Sequence, residues 1–308
     1  MHPPRSTVAE HALARVTLGP RQGGDRLAMY PLIDPVAPAA ADYVLARDAF
    51  AAGALEVSEV SESGQVPTLR VRNTGSRAVL LLDGEELIGA KQNRILNVTI
   101  LVAAGAVLEV PVSCVERGRW GYRDRGFRDS DFLMHAEGRA AKMREVSAAL
   151  RTRGGRQADQ HAVWSRLDAK AAAMGASSPT AAMHDTFLAH HAALEDALTS
   201  LAPVPHQIGA VFEVKGQAVG VEMLDAVEPF ARVFPKMARS YGLDALDRRV
   251  SLNGPPHGVD DLLRAVAAAA EERYPAVGVG EDVRLSSPEV QGGALAVGGR
   301  VVHLSVLG

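Results

Sequence analysis

Apolar residues recur at every second position through the first third of the chain, then at three- and four-residue steps through its middle, and the two rhythms alternate towards the end. A period of two is the signature of a half-buried strand and a period near 3.6 that of a helix packed on one side. Within the first stretch, Ala14–Leu18 and Leu27–Ile33 read as strands and Ala41–Ala52 as a short helix. The segment AVLLLDGEELI, starting at Ala78, carries Asp83-Gly84 between apolar runs. Asp-Gly suits a type I′ turn, so a hairpin is predicted with Leu82 facing Glu85 and Leu81 facing Glu86.

In QNRILNVTILV, Leu96, Val98, Ile100 and Val102 share one face, as do Leu108, Val110, Val112 and Cys114 in VLEVPVSCVE. A one-residue slip would turn one strand inside out, so matching the apolar faces sets the register. It predicts Val102 opposite Leu108, Leu96 opposite Cys114 and, carried further, Arg94 opposite Glu116.

Three helical patterns follow. They comprise Leu133, Ala136, Ala140, Met143 and Leu150; then Val163, Leu167, Ala171 and Met174, stopping at Gly175; then Met183, Phe187, His190 or His191, Leu194 and Leu198, with Ser178-Pro179 as the start. Beyond them lie a hairpin turning at Lys215-Gly216, helices at about Val227–Tyr241 and Val259–Tyr274, and a hairpin turning at Gly298-Gly299. The expected fold is α+β, a mostly antiparallel sheet built from hairpins with a helical middle segment. One domain is expected over 15–308, strand-rich over 15–125, helical over 130–201 and mixed over 205–308, after a disordered tail over 1–12.

Composition removes several functions. The net charge of −3 leaves no basic excess for a nucleic-acid partner. The single cysteine, Cys114, allows neither an intrachain disulfide nor a four-cysteine zinc site, and no metal site is expected. No apolar run reaches the roughly 18 residues of a membrane span, and the N-terminus lacks a signal-like stretch, so a cytoplasmic protein with no membrane partner is expected. Gly19–Asp25 lacks the Lys-Ser/Thr of a phosphate loop, Gly278–Asp282 has the wrong spacing for a dinucleotide fingerprint, and GxSxG and HExxH are absent. No cofactor or oligomeric state follows from the sequence.

The polar set with most chemistry is Glu85, Glu86, Gln92, Asn93, Arg94, Glu116 and Arg119. If the strand from Glu86 to Val102 is continuous, Glu86, Gln92 and Arg94 share the inward parity and line one sheet end. Glu86 and Glu116 are then candidate catalytic carboxylates, with Gln92, Asn93, Arg94, Arg119 and Trp120 as candidate ligand-binding residues. The same pattern also describes a cross-strand ion pair that closes a core. The loop CVERGRWGYRDRGFRDSD interleaves five arginines with aromatics, a mixture that holds phosphates and stacks on bases, but its acids offset much of the charge. Cys114, on an apolar face, reads as a buried, inert thiol. His184, His190 and His191 read as a solvated helix face.

The runs LDGEELIGAKQNRILNVTILV, VPVSCVERGRW, IGAVFEVKGQAVGVEML and PKMARSYGLDAL resemble the ADP-ribosylglycohydrolase- and rhodanese-phosphatase-associated protein domain family, from about Leu18 to the C-terminus. Gly84, Glu85, Gly89, Gln92, Asn93, Arg94, Cys114, Glu116, Arg119 and Trp120 carry the likeness. The resemblance implies a bacterial α+β domain encoded near ADP-ribose-processing enzymes, and implies no particular reaction. Two readings of function stand side by side. One is a nucleotide- or ADP-ribose-related enzyme or sensor with a polar Glu/Gln/Arg site at a sheet end. The other is a non-catalytic protein–protein interaction module whose charged cluster is structural.

Overall fold

The computed structural model describes residues 7–61, 64–249 and 258–308. It is α+β with mostly antiparallel sheets, one of them curled into a half-barrel, as the alternating rhythms predict. The largest sheet joins Leu27–Ile33 to the hairpin Gln207–Val214/Gln217–Leu224, and continues through Arg300–Leu307, Gln291–Val297 and Glu281–Ser286 to the edge strand Ala270–Pro275. Its two principal hairpins turn where the sequence places them. Lys215 and Gly216 have φ of 50° and 78°, and Gly298 and Gly299 have 57° and 83°. That pair of positive angles is what a two-residue type I′ turn requires.

A six-stranded sheet runs in the order Phe127–Leu133, Glu85–Gly89, Arg94–Leu96, Val107–Cys114, Thr68–Asn73, Leu55–Glu59. A three-stranded sheet joins Ile100–Val102, Ala78–Leu81 and Tyr43–Leu45, the last two in parallel. The middle segment forms helices Ala136–Arg153, Gln160–Met174, Met183–Ala189 and His191–Leu198. Helix Val227–Leu246 lies on the large sheet, with Tyr241 stacked on Phe212 at 4.2 Å.

Several local expectations are corrected. The Asp83-Gly84 turn forms, with the Glu85 amide donating to Leu82 O at 3.1 Å, but only Gly84 has a positive φ and the flanking strands part into different sheets. Val79, Leu80, Leu81 and Leu82 are all buried, so this segment has no solvent face for a simple hairpin to present. The strand expected from Glu86 to Val102 is broken twice. It folds back over 90–93, pairing Glu86 with Ile95 and Leu87 with Arg94. After Leu96 it leaves the sheet, and Ile100–Val102 pairs with Val79–Leu81 instead.

The register to the next strand is two residues from the expected one. Leu96 faces Val112, Arg94 faces Cys114, and Leu108 faces Val71. Parity survives because a shift of two keeps apolar faces together. Val107–Cys114 serves one partner strand along its first part and another along its second, which the two-strand reading could not contain. Residues 270–274, expected as helix, lie in the edge strand Ala270–Pro275, and 130–133, expected to open the helical segment, lie in strand Phe127–Leu133. Within the stretch expected as a disordered tail, Val8–Leu13 is a helix: Thr7 caps it by accepting from the Glu10 amide, and Val8, Ala9 and Ala12 are buried. Residues 1–6 lie outside the described residues.

Candidate functional site

The acids of the Asp83-Gly84-Glu85-Glu86 segment are each held by a different helix. Asp83 accepts from Lys142 Nζ at 2.7 Å, Glu85 from Lys236 Nζ at 2.7 Å, and Glu86 binds His184 Nδ1 at 2.9 Å. Lys142 lies on Ala136–Arg153, Lys236 on Val227–Leu246 and His184 on Met183–Ala189. Every one of these partners except His184 is nearly or wholly buried. Charges taken out of water need close partners and further hydrogen bonds. Lys142 accordingly also donates to the Leu96 and Asn97 carbonyls at 3.1 and 3.0 Å. The motif is a hub that ties three helices to the sheets.

The residues expected at one sheet end divide between two faces. Because Glu86 pairs with Ile95, and Arg94 with Leu87, strand alternation puts the Glu86 and Arg94 side chains on opposite sides. Arg94 is fully buried, donates to Gln92 Oε1 at 3.1 Å and lies 3.8 Å from Glu59. Cys114 donates its thiol proton to the same Gln92 oxygen at 3.2 Å, and burial pushes the thiol pKa up. A neutral, enclosed thiol is a poor nucleophile.

Glu116 does not face Arg94. It accepts from Arg119 Nε and Nη2 at 2.8 and 2.5 Å, from the Asn93 amide at 3.0 Å and from Thr180 Oγ1 at 2.9 Å. Burial pushes its carboxyl up, but these bonds outweigh that and hold it below the ordinary carboxylate range. Arg119 spends its remaining donors on the Ala90, Gly121 and Gly89 carbonyls and on Asn93 Oδ1. Glu116, Arg119 and Asn93 therefore form a closed clamp between the arginine-rich loop and the turn at 90–93. Trp120 and Tyr122 are half exposed, each ring centre 5.1 Å from Lys91 Nζ.

On the Glu86 side a cleft of about 360 Å3 opens, lined by Arg47, Arg128, Asp129, Ser130, Asp131, Phe132, His184, His191 and Arg239 among others. Glu86 lies beneath it, fully buried. One of its carboxylate oxygens takes Ser130 Oγ at 2.6 Å as well as His184 Nδ1. Phe132 meets the His184 ring edge-on at 5.1 Å. Helix Met183–Ala189 is fixed at its start by the Met183 amide donating to Val115 O at 2.9 Å. Burial lowers the His184 pKa, yet the bond to Glu86 and its charge overcome this and leave the pKa raised. A carboxylate that accepts the Nδ1 proton leaves Nε2 as the nitrogen for proton exchange.

The cations of the cleft are unequal. Arg47 pairs with Asp131 at 3.2 Å and Arg239 with Glu195 at 2.8 Å. Arg128 is exposed, and its guanidinium has no hydrogen-bond or ion-pair partner among the described residues. Asp129 is pushed up to about 7 by burial and by Glu85, against the pull of Lys236 at 2.5 Å.

The reading of His184 as a solvated helix face is corrected: its ring is mostly enclosed and anchored. Its partner lies 98 residues away in sequence, so no local spacing announces the pair.

One further group has ligand chemistry. Donor atoms of His135, Glu137 and Asp244 lie within 4.8 Å of one another. A cation already sits among the acids: Lys170 Nζ is 2.8 Å from Asp244, 2.9 Å from Asp247 and 3.2 Å from Glu137. The set reads as an ion-pair junction of three helices.

Fold and site together define an α+β protein whose polar motif organises a buried charge network beside an open cleft of about 360 Å3. The chain belongs to the ARPP-1 family, the ARG and Rhodanese-Phosphatase-superfamily-associated Protein domain, whose model matches residues 15–307. No curated protein and no solved structure matches the chain. Among the described residues no helix is long and apolar enough to cross a membrane.

Proposed function

We propose that this protein binds a phosphorylated, nucleotide-like ligand of the ADP-ribose class in the cleft above Glu86. The observation that carries the reading is Arg128, a guanidinium without an acidic partner at the mouth of a cleft that also presents the anchored ring of His184. A guanidinium fork suits a phosphate oxygen pair. The volume of about 360 Å3 lies in the range of small-molecule pockets. The ADP-ribose class is suggested by the family name and by the gene neighbourhoods the resemblance implies. In this reading Gln92, Asn93, Arg94 and Arg119 serve the fold, and Glu86 sets the geometry of His184.

The test is calorimetric titration of the full chain with ADP-ribose, NAD and AMP, repeated on Arg128→Ala. Binding of at least one of these to the unaltered chain, weakened at least about tenfold by the substitution, supports the reading, since a charge-assisted contact is worth about 1.5–3 kcal/mol. Failure of all three to bind refutes it.

A further inference from the structure

We infer that the cleft hydrolyses a phosphodiester, with His184 as general base and His191 as general acid. The inference rests on the reading that the cleft holds a phosphorylated ligand. It adds the bond that is broken and the groups that move the protons.

Two histidines on successive helices, Met183–Ala189 and His191–Leu198, line the same cleft. Their environments differ. His184 is held at Nδ1 by the buried Glu86 at 2.9 Å, and Ser130 Oγ, bound to the same carboxylate oxygen at 2.6 Å, fixes that oxygen in turn. The ring is thus restrained in orientation and tautomer, which a proton acceptor needs if its Nε2 is to meet a water repeatedly in one geometry. His191 is more than half exposed, its Nε2 3.9 Å from Glu195.

The charge of the lining suits a diester. Arg47 and Arg239 are committed to Asp131 and Glu195, so among the described arginines of the lining Arg128 supplies the one uncommitted guanidinium. Asp129 and Asp131 stand in the same lining. Both acids are themselves paired, Asp131 with Arg47 and Asp129 with Lys236, so the unpaired guanidinium that remains matches the single negative charge of a diester.

The step balances without a further reactant. Water oxygen forms a bond to phosphorus while His184 Nε2 takes one of its protons. The bond from phosphorus to the leaving oxygen breaks, and that oxygen takes a proton from His191. The products are a phosphomonoester and an alcohol, and the two rings return to their starting states by exchange with solvent.

The experiment uses the full chain with 2′,3′-cyclic AMP and bis(4-nitrophenyl) phosphate as probes, following products by phosphorus NMR and absorbance. The unaltered chain is expected to hydrolyse at least one. His184→Gln and His191→Gln are each expected to lower kcat about a hundredfold or more, the scale of a lost acid or base, while AMP affinity stays within about threefold. Glu86→Gln is expected to lower kcat less and to displace the pH–rate profile, as befits a positioning residue. A chain that binds AMP or ADP-ribose but cleaves neither probe overturns the inference and leaves the binding reading intact. Undiminished turnover in both histidine variants also overturns it. Absence of binding by ADP-ribose, NAD and AMP alike removes the binding reading and the inference together.

Discussion

Lys142 and Asp83 meet at 2.7 Å inside the protein, the ammonium on helix Ala136–Arg153 and the carboxylate in the turn between two sheets. Neither side chain reaches solvent to any useful extent, at 0% and 4% exposure. Burial lowers the Lys142 pKa, and the carboxylate beside it opposes the loss of its charge. Removing one partner strands the other. Lys142→Met should therefore cost about 3–5 kcal/mol, the usual penalty for a broken buried pair. The double variant Lys142→Met/Asp83→Asn should cost much less than the two single costs added. Urea denaturation of the four proteins measures this, and additive losses would show that the two groups are not coupled.

Glu116 makes a separate prediction through pH. Its carboxyl is held below its ordinary value in the folded chain, chiefly by Arg119, the Asn93 amide and Thr180 working against burial. A depressed pKa stabilises the fold when the group is ionised, so the contribution is complete above the unfolded value of about 4.3 and is lost as pH falls through the folded one. Glu116→Gln should be less stable than the unaltered chain at pH 7 by about 1–3 kcal/mol, with the difference shrinking as the pH drops below about 4. Ligand affinity should not change, because all four of its contacts are to the chain itself. A difference independent of pH would mean that the charge of Glu116 does not hold the clamp.

How much of this was legible in the sequence depends on the range of the contact. Turns written in adjacent residues, such as Lys215-Gly216 and Gly298-Gly299, were readable because the chemistry that makes them is local. The apolar parity of Leu96, Val112 and Cys114 was also readable, since alternation is a property of each strand alone. Register was not: Val107–Cys114 divides its length between two partners, and a pairwise match sees only one. Glu86 was singled out for its charge, but its link to His184 was invisible. A histidine between Met183 and Asp185 looks like a surface residue until the tertiary fold brings the buried carboxylate to it. The same holds for Lys142 and Lys236, whose sequence neighbours give no sign that they are buried.

His184 should titrate above an ordinary histidine. Glu86 and Asp185 favour its protonated form, while burial and Arg128 oppose it, and the balance is upward. A raised pKa stabilises the fold when the ring is charged, so this contribution is complete below the unfolded value of about 6.5 and disappears as pH rises through the folded one. Histidine NMR on the full chain should find a ring titrating above that value. Glu86→Gln should bring the midpoint of that ring down, and His184→Gln should abolish the signal. An unmoved midpoint in Glu86→Gln would show that the carboxylate does not govern the ring.

At Gly84, in the polar motif, the backbone decides the residue. Its φ is 77°, a conformation glycine adopts without penalty and other residues resist. A methyl group there would stand 2.6 Å from Arg139 Cδ. Arg139 has no room to yield, being almost wholly buried and bound to Glu222 at 2.7 Å, which also accepts from Tyr241 at 2.8 Å. Gly84→Ala thus combines backbone strain with displacement of a buried arginine from its carboxylate. A loss of about 3 kcal/mol or more is expected, read from the urea midpoint. Gly298→Ala makes the comparison, because its φ of 57° carries the strain but nothing lies within 4 Å of the added methyl. It should cost about 1 kcal/mol, the backbone share alone. Equal losses at the two sites would mean that Arg139 moves aside freely and that the buried network is softer than its hydrogen bonds imply.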